Sequence, residues 1–137
     1  LAGAVLLTVA EIDPVRPTGA RDCRVGAIAE FRGVGRSLEH GKPISAIEYE
    51  AYEPMAERVI RTKLEAIGSE FGLVGARVIH RLGLVRVGEV SIFVELKGQH
   101  RAEVFRALPV FMDQLKADVP IWKSRTLFLP DTAQPAS

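Results

Sequence analysis

Lys116 and Lys123 stand on either side of Pro120 and Trp122 in the stretch LKADVPIWKSR, residues 115–125. The chain carries 18 lysines and arginines together, but only residues 42, 63, 97, 116 and 123 are lysines, so two of five fall in this stretch. A lysine ammonium is a compact charge whose pKa falls readily when water is removed, so it can move a proton or act as a nucleophile where a guanidinium cannot. Beside an apolar tryptophan that chemistry is available. On residue type alone the simpler account comes first: Lys116 as a cation favoured at a helix C-terminus and Lys123 as a solvated strand lysine.

A second group could hold an anion. His100 and Arg101 follow Gly98 at the start of an expected helix, where free backbone amides already favour negative charge, and both side chains can donate to a phosphate; a polar helix start accounts for them equally. Arg36, in a glycine-containing segment, could close over such an anion, or simply be solvated. Other patterns carry less. GVGRSLEHGK is not a phosphate-binding P-loop, because Gly41-Lys42 is followed by Pro43 and then by a strand pattern. His40, His80 and His100 have no paired ligand spacing and Cys23 is the single cysteine, so no zinc site is expected. His80 reads as a satisfied strand histidine, and Glu48 with Glu50 as a salt-bridged sheet face.

These residues need elements to position them. Residues 4–10 and 23–31 read as strands, separated by the loop IDPVRPTGARD. Residues 32–43, rich in glycine and charge and without periodicity, predict a mobile surface loop. Residues 44–52 alternate as a sheet strand does. A helix opens at Pro54, carries Met55, Val59, Ile60, Leu64 and Ile67 as an apolar stripe, and stops at Gly72. Residues 76–83 and 89–98 read as an antiparallel pair joined through LVRVGE. A second helix is expected over residues 100–118, with Val104, Phe105, Leu108, Phe111, Met112 and Leu115 inward and a kink at Pro109. Pro120 ends it, IWKSRTLFL runs extended, and residues 130–137 read as a disordered tail. The apolar run Leu127, Phe128, Leu129 must be covered, either by the chain's own sheet or by a partner.

This order describes a single α+β domain over residues 1–129, with two main helices covering a mainly antiparallel sheet. The break at Pro120 could turn Lys116 and Lys123 into one cleft. With 137 residues, 47% hydrophobic and 26% charged, the chain has the composition of one globular domain, and a net charge of +1 argues against a dedicated polyanion binder. The strands also lack the aromatic stacking pattern of an RNA-binding sheet. One unpaired cysteine fits the cytoplasm, and no apolar run approaches a membrane span.

Taken together, GAIAEFRGVGR, AIEYEAYEPMAE, VIHRLGLVRVGE, HRAEVF and LKADVPIWK, in this order from about Cys23 to Lys123, resemble the large catalytic subunit of molybdopterin synthase. The resemblance implies an α/β hammerhead-like fold and a sulfurtransferase of molybdenum cofactor biosynthesis. A ubiquitin-like small subunit would bring sulfur as the thiocarboxylate of its Gly-Gly C-terminus. Cyclic pyranopterin monophosphate would receive two sulfurs, becoming the dithiolene of molybdopterin. Large subunits would form a homodimer inside a heterotetramer, the second chain helping to line each pocket, with no nucleic acid, membrane, metal or further cofactor involved. Residue by residue, Lys116 matches the essential lysine of the family's LK-x-x-x-P element, with proton transfer and carbonyl polarisation as its role. Lys123, the lysine after tryptophan, would bind the substrate anion and support the same catalytic step. His100, Arg101 and Arg36 would hold the cyclic phosphate, with Pro120 and Trp122 as scaffold. The alternative is a non-catalytic paralogue, a dimeric binding module for another partner.

Overall fold

The computed structural model describes residues 1–13 and 22–130. Most of the expected loop after the first strand, and the expected disordered tail from residue 131 onward, lie outside the described residues. The described elements run β1 (Ala2–Thr8), β2 (Ala27–Val34), β3 (Leu38–Glu39), β4 (Lys42–Ala51), α1 (Glu53–Phe71), β5 (Gly75–Arg81), β6 (Gly83–Arg86), β7 (Val90–Gly98), α2 (Arg101–Asp118) and β8 (Ile121–Phe128). This is the expected α+β arrangement with two helices, built on two sheets. The first has the order β1-β5-β7-β2; the second joins β3, β4 and β6, with β8 also on β4. Pairing is antiparallel except between β1 and β5, which are parallel.

Both helices form for legible reasons. In α1, Ala56, Ile60, Leu64 and Ile67 recur at the spacing of one helix face and are all buried. Pro54 sits in the first turn, where a missing N–H costs nothing, and Gly72 closes the helix in the left-handed region at φ 67°, its N–H donating to the Gly68 carbonyl. In α2 the buried face is Val104, Ala107, Phe111 and Leu115. The inward position expected for Phe105 belongs to Ala107 instead, and Phe105 is exposed. The two faces meet over Val78, Val94 and Leu96 of the first sheet to form the core.

The helix continues through Pro109. Pro109 and Phe105 both lie on the exposed side, so water can satisfy the Phe105 carbonyl that Pro109 leaves without a donor.

Two further sequence expectations are corrected. Residues 32–43 are not a mobile loop: β2 runs on to Val34, and a hairpin pairs Leu38 with Pro43 and Glu39 with Lys42. Its two-residue turn is His40-Gly41, both at positive φ (51° and 77°), the requirement of the tight turn whose twist matches its strands. Likewise LVRVGE is more than a connection. Its first residues belong to β6, which leaves the first sheet to pair with β4 from Ala46 to Tyr49. Buried Arg81 holds this departure: Nη2 donates to the Leu84 carbonyl at 2.7 Å, and Nη1 lies 3.7 Å from Glu89 Oε2. The run after Arg125 is covered on one edge by the chain's own sheet, with Phe128 opposite Ile44 and the Leu129 N–H donating to the Pro43 carbonyl at 2.9 Å.

Replacing Pro109 by alanine restores the missing helical bond on an exposed face and is expected to raise folding stability by about 1–3 kcal/mol. Denaturant unfolding should show a higher midpoint with an unchanged slope. A lower midpoint would mean that the fixed φ of Pro109 stabilises this helix by more than its lost bond costs.

Candidate functional site

The two lysines meet. Lys116 lies in the last turn of α2, where a cation complements the helix dipole. Val119 is already extended (φ −84°, ψ 128°), as the residue before a proline must be, and β8 begins at Ile121. The reversal sets Lys123 on β8 against the same cavity of about 250 Å³ that Lys116 lines. Leu115, Met112 and Ile60 supply its apolar wall from the helices, Ile92 from the first sheet, and Tyr49 from β4.

The direction of Lys123 depends on a bulge. Along β4 and β8, Glu48 faces Arg125 but Tyr49 faces Lys123, so Ser124 is an extra residue on β8. Its hydroxyl donates to the Glu48 carbonyl at 3.3 Å. A bulge of this kind re-aims the side chains beyond it; without it Tyr49 would face Ser124. A second irregularity at Ser45 is tied in the same way, its hydroxyl donating to the Leu127 carbonyl at 3.3 Å.

Both lysines are on the rim, not in the interior. Each is exposed, and the Lys123 side chain is 46% accessible. Nζ of Lys123 donates to Glu39 Oε2 at 3.0 Å, joining β8 to the β3–β4 hairpin. That bond, with the fields of Lys123, His40 and Arg36, holds the Glu39 carboxyl below its ordinary value of 4.5. Arg36 does not line the cavity.

His100 and Arg101 lie elsewhere. Both are exposed at the N-terminal end of α2. Fifteen residues separate Arg101 from Lys116, so at about 1.5 Å rise per residue they stand roughly 22 Å apart along the helix. One chain does not bring the His-Arg pair to its own lysines.

Three side chains at this site carry no signal in the sequence. Glu39 is 84 residues from Lys123. Tyr49 and His80 meet edge to face, ring centroids 5.4 Å apart and planes at 73°, and both line the cavity. His80 is satisfied in part, as its strand position suggests: Nδ1–H donates to the Arg81 carbonyl at 2.7 Å. That bond puts the proton of the neutral ring on Nδ1 and leaves Nε2 as an acceptor. Burial holds the imidazole below its ordinary 6.5, against the opposing effect of the Arg81 contact.

The fold and site define an α+β protein with a small, apolar-walled, lysine-rimmed cavity at the junction of two sheets, suited to one end of an anionic ligand. The family model for MoaE protein matches residues 7–118, and the chain belongs to that family. It is 44% identical over 98 residues to the human molybdopterin synthase catalytic subunit, an alignment covering 72% of this chain and 52% of the human one. The chain spans about half the length of such curated relatives. Among solved structures, the molybdopterin cofactor biosynthesis protein E of Burkholderia multivorans superposes with a TM-score of 0.77 at 25% identity, covering 94% of this chain and 88% of that one. A Helicobacter pylori complex of subunits 1 and 2 of molybdopterin-converting factor shares the fold, with a TM-score of 0.64 at 21% identity over 82% of this chain and 77% of that one.

The lowered value of His80 has a sign. As pH falls, the unfolded chain takes up this proton first, so the contribution of His80 to stability is full above 6.5 and declines as pH drops from there toward the lowered folded value. Thermal midpoints of wild type and His80→Gln, measured from about pH 8 to pH 5, should diverge with the wild type losing more at the acid end. Parallel curves would show that the ring is not desolvated.

Proposed function

We propose that this chain is the catalytic large subunit of a molybdopterin synthase, a sulfurtransferase acting on cyclic pyranopterin monophosphate. The observation that carries the reading is the convergence of Lys116 and Lys123, from opposite sides of Pro120, on one cavity. The name of the human relative and the two-component complex from Helicobacter pylori support it. The sulfur donor is a ubiquitin-like small subunit whose Gly-Gly thiocarboxylate enters the cavity as an extended tail. Residues 1–129 act as one catalytic domain, and the free thiol of Cys23 fits the cytoplasm.

Lys116 polarises the thiocarboxylate carbonyl and moves the proton, and Lys123 holds the anion. A lysine does this best when desolvated, yet both are exposed here. The tail and the pterin supply the missing cover: filling an apolar-walled cavity removes water from its rim and strengthens each charge-assisted contact. A cavity of about 250 Å³ is also smaller than the roughly 300–1,000 Å³ that encloses a whole small molecule. The rest of the substrate is held by a second copy of the chain. In this homodimer, the core of a heterotetramer, His100 and Arg101 of one protomer grip the cyclic phosphate over the lysines of its partner, with Arg36 closing beside Lys123.

Lys116→Ala should keep the fold and dimer while lowering turnover of the pterin precursor by at least about 100-fold, and Lys116→Arg should recover less than about a tenth of the activity, because a guanidinium keeps its proton. Near-normal turnover of Lys116→Ala would leave a binding role only. Sharing of the site between protomers has its own test. Mixing inactive Lys116→Ala dimers with inactive Arg101→Ala dimers, under exchange, creates one intact site in each mixed dimer and should restore about a quarter of wild-type activity. No recovery, with exchange verified, would place both residues at the same site of one chain or remove Arg101 from the site.

A further inference from the structure

The β3–β4 hairpin places a carboxylate where a substrate anion would bind. Glu39 ends β3, its side chain only 12% accessible, and its Oε2 accepts the bond from Lys123 Nζ at 3.0 Å. The tight turn at His40-Gly41 fixes the hairpin that carries it. Arg36 precedes it, so Lys123, His40 and Arg36 all act on this one carboxylate. Lys123 also lines the rim of the cavity. An ion pair that leaves one partner half in water is weak, and a phosphate or thiocarboxylate able to engage several of these cations at once competes for them on favourable terms.

We propose that Glu39 is a positioning residue that stands in for the substrate's anionic group, holding Lys123 at the mouth of the cavity and releasing it to the incoming anion. Glu39 is thus an internal competitor: binding includes the exchange of its carboxylate for that of the ligand. The identity of the natural anion rests on the sulfur-transfer reading; the exchange does not.

The exchange is measured on the dimer by NMR, following the side-chain resonances of Lys123, assigned by comparison with Lys123→Arg. Inorganic phosphate and the dipeptide glycylglycine are titrated separately, the first standing for the pterin phosphate and the second for the carboxylate end of the donor tail. Glu39→Gln removes the competing charge at constant shape, and Lys123 should bind at least one of the two anions about threefold tighter than in wild type or better, while Glu39→Asp stays close to wild type. The anion that responds identifies which substrate group Glu39 represents. In turnover, KM should fall in Glu39→Gln in parallel with the dissociation constant, for the pterin if phosphate responds and for the thiocarboxylated donor if glycylglycine does. Weaker anion binding at Lys123 in Glu39→Gln, no response of Lys123 to either anion, or a tenfold loss of kcat at constant KM would each overturn the proposal. The NMR titration needs no catalysis, so it can fail while the Lys116 variants uphold sulfur transfer, or succeed while they do not.

Discussion

The site depends on the antiparallel pairing of β4 with β8. Strand β4 runs through the middle of the second sheet and takes β8 along most of its length, from Ile44 opposite Phe128 to Ala51 opposite Ile121. For β8 to lie antiparallel there, the chain has to reverse within a few residues of the end of α2. Val119 and Pro120 make that reversal possible by ending the helix abruptly. The same pairing satisfies one backbone edge of β8, while the side chains of Phe128 and Leu129 stay exposed. It also connects the chemistry. His80 touches Tyr49, and Tyr49 is the register partner of Lys123. Side chains alternate in a strand, so a one-residue slip would turn Lys123 away from the cavity, and the bulge at Ser124 is what makes the register correct.

Charge is handled locally in this molecule. With a net charge of +1 there is no broad field to draw in an anion. Four charged or titratable side chains cluster instead at one rim, with Glu39 among Lys123, Arg36 and His40. The interior nearby holds an imidazole whose pKa is lowered by burial, against the opposing effect of its bond to the Arg81 carbonyl. Cations at the entrance, an apolar wall and the half-buried His80 ring inside form a gradient from wet to dry.

Much of the fold is legible locally. The apolar stripe through Ile60, Leu64 and Ile67, with Pro54 ahead and Gly72 behind, contains everything needed to start, face and stop α1. The extent of α2 and its end at Pro120 are legible in the same way. The hairpin at residues 38–43 escapes a local reading because a turn usually built on Asn-Gly is built here on His-Gly, and because a two-residue strand has no periodicity to detect. β6 escapes it for a related reason: four residues are too few to declare which sheet they join. Phe105 and Ala107 trade places since a helical period locates a stripe only to within a residue or so, and the neighbouring sheet decides which member of the stripe faces in.

The sequence by itself determined residue types and local geometry: two helices with their inward faces, a break at Pro120 flanked by lysines, and the ordered motifs that mark the MoaE family. These follow from interactions among neighbours in the chain, where backbone preference and side-chain spacing suffice. Tertiary structure alone decided what the lysines meet. The pairing of Lys123 with Glu39 and the presence of Tyr49 and His80 at the cavity depend on how distant strands register and which way a bulge turns them. Such contacts join residues tens of positions apart, and no local pattern encodes them, because their energy exists only once the two sheets and the two helices have packed.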